Sequence, residues 1–444
     1  MKRISIAALI LFAATALAAQ DSQLKDDFNT FIRYVEETHP DPYSAFGGRM
    51  EFKRRAQNLR NGISAQTTRR QFAEMLSNFV AALGDGHTTI HSNEEESTGQ
   101  NKSLPLKLKI AVDGIFVAAA AREYEKYTGC ELLSINDTSI DSLLVEAKRI
   151  RAAENRYGEY YELCRLLRSE KDAALLFNAH SSRLKLTLRQ PNGTAITAEV
   201  SYVDAPEYVQ ARSALKLNEE NNLMHARMLE TADKRRAGYF AWNATASREM
   251  VEEVAKNSRN YLDVNLNSVY EHALRVPRPK DDDEAIRNIP ALYSTFCGLL
   301  NAMKEQQSEH LIIDLRENGG GMTPLCLPLL YMLYGDKYLD YESPAEYNRL
   351  LSPLLLNKWG VESIEQYNAS NNTDYRLGDF MFRPFFGRAD SGQSIKEKRK
   401  DLSRIAYYNG IGREYTENLN GVAVHEPEII VLCSPQTFSA AYHF

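Results

Sequence analysis

Two short segments of the 444-residue chain carry residue types that could together break an acyl bond. Near the carboxyl end, Cys433-Ser434-Pro435-Gln436-Thr437-Phe438-Ser439-Ala440-Ala441 follows the apolar run Glu428-Ile429-Ile430-Val431-Leu432. That is the layout of a hydroxyl held at the end of a buried strand, and Ser439 is the candidate nucleophile. The small residues Ala440 and Ala441 would open a helix, whose backbone donors and dipole favour negative charge beside the hydroxyl. Upstream, Leu311-Ile312-Ile313-Asp314-Leu315-Arg316-Glu317-Asn318-Gly319-Gly320-Gly321 is a second apolar strand running into glycines. Bare glycine backbone can turn N–H groups toward a developing oxyanion. A tetrahedral intermediate needs two such donors, and the Ala440 amide with one from Gly320 or Gly321 are the candidates. Asp314 and Arg316 flank the strand end and are assigned a supporting role, orienting the loop.

The elements that must position these residues divide the chain into regions. From Asp21 to about Ser92 the pattern is helical, clearest at Thr68-Arg69-Arg70-Gln71, a capping box ahead of Phe72, Met75, Leu76, Phe79, Val80 and Leu83. Gly84 closes that helix, and Asp85-Gly86-His87-Thr88-Thr89-Ile90 turns into an extended segment with His87 at the corner. From about Asn101 to Asp204 the apolar period becomes two, with a strand and tight turn over Gly129–Ile140, a helix from about Ser142, and a hairpin around Gln190-Pro191-Asn192-Gly193. Ala211–Arg236 reads as linker or solvated helix. Gly238–Trp242 reads as a strand, Ala285–Gln307 as one helix before the strand at Leu311, and Leu325–Tyr334 as another helix, an α/β alternation. Gly335–Gly421 is polar and weakly periodic, an insertion between two strands of one sheet.

Composition narrows the class. The first residues, Lys2-Arg3 followed by apolar Ile4–Leu17 and Ala16-Leu17-Ala18, read as an export signal over 1–18, giving a periplasmic or extracellular product. No later stretch approaches the roughly 18 apolar residues that a membrane span needs. The formal charge of −6 becomes more negative once Lys2 and Arg3 are removed, which excludes a nucleic-acid partner. Five widely spaced cysteines are expected as free, chiefly buried thiols, with one disulfide as the alternative. There is no HExxH and the nine histidines are scattered, so no metal or organic cofactor is implied. His39, His91 and His425 read as solvated or structural.

Three of these segments resemble the S41 peptidases, the family of C-terminal processing and tricorn-type serine proteases. Asp314–Gly321 is similar to the family's DLRxNxGG block, Thr437-Phe438-Ser439-Ala440 to its T-x-S-A block, and Leu83–Thr88 to its L-x-D-x-H-T segment. The resemblance implies an α/β and α+β multidomain fold: a helical cap at 19–98, a PDZ-like β-rich domain at 99–205, and a ClpP/crotonase-like α/β catalytic core at 206–444 with the insertion 335–421. It implies peptide-bond hydrolysis through a Ser439 acyl-enzyme with His87 as general base, acting on a polypeptide substrate. Where tricorn-type relatives have Ser before that His, this chain has Gly86. The PDZ-like domain would hold a peptide C-terminus by strand addition, with Leu104-Pro105-Leu106-Lys107 at the start of the groove strand. Family members continue past the nucleophile, so the chain reads as truncated and its core as incomplete; the alternative Lys base, and the Glu that orients the tricorn-type His, would fall beyond Phe444. A non-catalytic peptide- or apolar-ligand binder is the other reading. An α/β-hydrolase esterase is disfavoured, since no GxSxG is present.

Overall fold

The computed structural model describes residues 23–90, 102–111, 114–177, 181–210, 223–230, 232–257, 259–341, 346–384, 393–408 and 426–444. The segment read as an export signal, with His91 and His425, lies outside them. Two units divide the chain, Met1–Arg212 with Glu346–Arg383 and Ser213–Ala345 with Pro384–Phe444.

The first unit begins with helices α1 (23–38), α2 (Arg49–Gly62) and α3 (Arg69–Ala81). Helix α3 starts where the sequence places it. The Thr68 side chain accepts from the Gln71 amide while the Gln71 side chain accepts from the Thr68 amide, so two donors that a helix start leaves orphaned find partners. Phe46, Phe52 and Phe79 meet ring to ring, with centroids 5.0 to 5.2 Å apart, at the centre of a core that also takes Phe28 and Val80. Gly84, at φ +71°, then turns the chain into the Asp85–Thr88 loop.

A seven-stranded sheet follows, in the order β1 (Leu106–Ala111), β2 (Gly114–Ala121), β3 (Glu131–Ile135), β5 (Arg183–Arg189), β6 (Ala195–Ser201), with β4 (Thr138–Ser139) pairing β3 and β7 (Tyr208–Gln210) pairing β2. All its pairings are antiparallel. The turn between β3 and β4 uses Asn136 and Asp137 at φ +49° and +62°, the two left-handed residues that suit the twist of a two-residue hairpin. Leu184, Leu186 and Leu188 alternate inward on β5 and pack with Leu143, Leu163 and Leu167 of the helices α4 (Ile140–Ile150) and α5 (Arg156–Leu167). A small satellite core of Leu351, Leu356, Ile364, Tyr367 and Met381 lies near the two-stranded sheet of β11 (Glu346–Leu350) and β12 (Phe380–Pro384). Ordered strands and helices thus occupy part of the segment read as a weakly periodic insertion.

The second unit centres on a four-stranded sheet in the order β13 (Glu428–Leu432), β10 (His310–Asp314), β9 (Arg236–Trp242), β8 (Met224–Glu230). Strands β9, β10 and β13 run parallel, and β8 is antiparallel to β9. Three expectations are corrected here. Met224–Glu230, read as linker or solvated helix, is strand β8: Met224 is buried, and Ala226 and Met228 pack at its alternate positions, a period-two pattern masked by the intervening charges. The single helix over Ala285–Gln307 is two, Asp282–Asn288 and Leu292–Glu305, because Pro290 cannot donate the backbone bond that would carry the first into the second. The start of the second helix is capped from outside by buried Glu249, whose carboxylate accepts from the Leu292 and Tyr293 amides. Strand β13, expected to be buried, sits at the sheet's end with Ile430 and Val431 about half exposed.

Replacing the capping hydroxyl tests how α3 is held. Thr68→Ala is expected to cost about 1 kcal/mol, read as faster amide hydrogen exchange along Arg69–Ala81; unchanged protection there would contradict this account of the helix start.

Candidate active site

Parallel pairing of β10 with β13 sets Asp314 opposite Leu432, so both strands leave the sheet at the same end. The two turns that follow are joined bond by bond. The Leu315 amide donates to Leu432 O at 2.9 Å and the Thr437 hydroxyl to Leu315 O at 2.8 Å. Gln436 Nε2 donates to Glu317 O at 2.8 Å, the Phe438 amide to Asn318 O at 3.1 Å, and the Ser434 hydroxyl to Arg316 O. Loop backbone would otherwise need water for these groups; here each turn satisfies the other.

Ser439 stands where this joined structure ends and a short helical turn, Ala440–His443, begins. Its backbone lies at φ +55°, ψ −125°, a region that residues with a Cβ seldom occupy. Gly320, at φ +101°, comes so near that a Cβ on it would be 2.7 Å from Ser439 Cβ and 2.8 Å from Phe438 O. Gly321, at φ +145°, is pressed equally hard against Thr245 O, 2.4 Å from where its Cβ would be. Both positions therefore require glycine for close approach as well as for their dihedrals. The structure thus brings Ser439, Ala440 and Gly320 together, with Gly321 next in line.

The donors near Ser439 differ in commitment. The Gly320 amide already donates to Asn318 Oδ1 at 2.9 Å. Among the described residues no acceptor takes the Gly321 or Ala440 amide. The side chain that engages Gly320 is the most connected in the site: Asn318 is fully buried, its Nδ2 donates to Trp242 O at 2.9 Å, and its Oδ1 also accepts from the Thr245 hydroxyl at 3.2 Å. Sequence reasoning did not single out Asn318, although the Asn before the glycines was its signal. Thr245, Ser434 and Thr437 were missed too, and an isolated hydroxyl residue gives no such signal.

Asp314 and Arg316 face each other. The guanidinium donates from Nε at 2.9 Å and from its terminal nitrogen at 2.6 Å to the two carboxylate oxygens, a forked pair. The Tyr239 hydroxyl donates to the same carboxylate at 2.8 Å. Burial alone would raise the Asp314 pKa, but the bonds from Arg316 and Tyr239 outweigh it and hold the carboxyl below its usual range. Burial, then the bond to Asp314, pushes the Tyr239 phenol up to about 12. Cys326, buried with its Sγ 3.8 Å from Ala440 O, is pushed up to about 12 by burial and stays a neutral thiol. All five cysteines are free.

His87 belongs to the first unit. Its loop is organised by Asp85, whose Oδ1 accepts from the His87 amide at 2.9 Å and whose Oδ2 accepts from the Thr88 hydroxyl and lies 3.5 Å from His39 Nε2. The His39 bond, opposed by burial and aided by Thr88 and the His87 amide, holds the Asp85 carboxyl far below the usual range. The His87 ring is 57% exposed, with Nδ1 3.8 Å from Asp85 Oδ1 and 3.9 Å from Glu154 Oε1. Among the described residues, Asp85, His87 and Glu154 are the group whose ligand atoms, all within 4.8 Å of one another, could hold a metal ion.

A glycine turn is thus bonded to a strained serine turn where the parallel strands β10 and β13 end. Residues 288–444 match the family model for Peptidase family S41. Two solved structures share the fold. Mature CPAF complexed with lactacystin is similar with a TM-score of 0.54 at 14% identity, over 95% of this chain and 81% of that one. A serine-to-alanine CPAF mutant is similar with the same score and identity, over 96% of this chain and 81% of that one. No curated protein matches the sequence.

The folded Asp314 pKa lies below the model-compound value of 3.8, so its contribution to stability is present above that pH and is lost as pH falls through the folded pKa. Asp314→Asn is expected to lower unfolding free energy at neutral pH by about 2–4 kcal/mol, since Arg316 and the Tyr239 hydroxyl lose a buried charged acceptor. The gap between variant and wild type should narrow as pH drops below 3.8. Urea titrations at neutral and acid pH check this; a gap independent of pH would contradict it.

Proposed function

We propose that this protein is a serine endopeptidase in which Ser439 attacks the scissile carbonyl carbon. In this reading the Ser439 proton passes to His87, and the Ala440 amide with a glycine amide holds the oxyanion. The imidazolium then returns the proton to the leaving amine, and water hydrolyses the acyl-enzyme with His87 again as base. The observation that carries the reading is the backbone of Ser439 at φ +55°, ψ −125°, packed against a glycine that tolerates no side chain. Strain of that kind persists only where surrounding bonds hold it, and it concentrates at functional sites. Gly321 is the better glycine donor, because the Gly320 amide is engaged by Asn318. His87 is assigned from its sequence segment, and its exposed ring on a carboxylate-braced loop is compatible with that role.

The antiparallel sheet of the first unit supports reading 99–205 as a PDZ-like domain, with 19–98 as a helical cap. Strand β1 lies at the end of that sheet, and among the described residues no strand pairs with its outer edge. That edge would receive the end of a polypeptide substrate as an added strand. The charged and apolar pattern of the first residues supports export.

A fluorophosphonate probe is expected to label the wild-type chain and not Ser439→Ala. Absence of labelling in both, with peptide binding retained, would overturn the catalytic reading in favour of a non-catalytic binder.

A further inference from the structure

Resting on the reading of His87 as a base, we propose that Asp85 and Glu154 are positioning residues that set its tautomer, keeping the ring proton on Nδ1 so that Nε2 carries the basic lone pair. A neutral imidazole has one donor nitrogen and one acceptor, and the neighbours decide which is which. Nδ1 is the nitrogen turned toward two carboxylate oxygens, Asp85 Oδ1 at 3.8 Å and Glu154 Oε1 at 3.9 Å. An ionised carboxylate only accepts. A lone pair on Nδ1 would face two negative charges, whereas a proton there is attracted by both.

The two carboxylates are themselves fixed. Asp85 is tied by the His87 amide, the Thr88 hydroxyl and His39. His39 makes a consistent partner: its Nδ1 accepts from the Asp41 amide at 3.1 Å, so its proton lies on Nε2, the nitrogen facing Asp85. Glu154 reaches the loop from between α4 and α5, where its Oε1 accepts from the Gly86 amide at 3.3 Å. The one oxygen, Glu154 Oε1, thus meets the Gly86 backbone on one side and the His87 ring on the other. Asp85 and Glu154 belong to the same unit as His87.

Nitrogen-15 NMR of the histidine rings in the full-length chain, at about pH 9 where an imidazole is neutral and with a chelator present, reads the tautomer directly. His87 in the wild type is expected to be mainly Nδ1–H. In Glu154→Ala the ratio of Nδ1–H to Nε2–H should fall at least about threefold, within the range an exposed charge pair commands, and Glu154→Gln, which keeps an acceptor oxygen, should restore part of it. Mainly Nε2–H in the wild type, or an unchanged ratio in Glu154→Ala, would overturn the proposal. Peptide hydrolysis by the same variants separates the two readings: a shifted ratio with an unchanged rate upholds the tautomer assignment and removes His87 from the base role.

Discussion

One buried side chain ties the second unit's working end together. Asn318 sits after β10, donates to the end of β9 through Trp242 O, accepts from Thr245 and Gly320 through one oxygen, and takes the Phe438 amide on its backbone carbonyl. A fully buried carboxamide left without partners would cost several kcal/mol; with these bonds made it has one arrangement, and that arrangement sets the distance between the glycine turn and the serine turn. Parallel pairing of β10 with β13 supplies the other half of the constraint, since only strands running the same way release both turns at one edge.

The constraint accounts for details that otherwise look unrelated. Gly320 must lack a side chain because the turn after β13 is drawn against it, and Gly321 because Thr245 is drawn against the other side. Ser439 takes up the remaining misfit in its own backbone. The forked Asp314–Arg316 pair, with Tyr239 behind it, stiffens the first residues of the loop. The same logic, on a smaller scale, organises the His87 loop, where Asp85 serves three donors at once.

What the sequence made legible follows from how local each cause is. A capping box, a two-residue turn and an apolar run before glycines act within a few residues, so α3, the β3–β4 turn, β10 and β13 could be read directly. Strand β8 could not, because Arg227 and Glu230 gave its surroundings the look of a solvated segment while its pairing partner β9 decided its state. Pro290 stands in the sequence, but the apolar period running through Ala285–Gln307 hides the break it makes between the two helices. The Ser439 segment was legible as a motif, but Asn318's centrality depends on Trp242 and Thr245, more than seventy positions earlier. Glu154 lies 68 residues from Gly86, and no periodicity relates them.

The central claim is that two hydrogen-bonded turns force Ser439 into a conformation that only glycine adopts without strain. Comparing unfolding free energies of Ser439→Gly and Ser439→Ala tests it most directly, since both remove the hydroxyl and only one removes Cβ. The account requires the glycine variant to be the more stable by about 1–3 kcal/mol, despite glycine's greater freedom in the unfolded chain. An alanine variant as stable as the glycine variant, or more so, would mean that the backbone at this position is relaxed and that the joined turns hold nothing under strain.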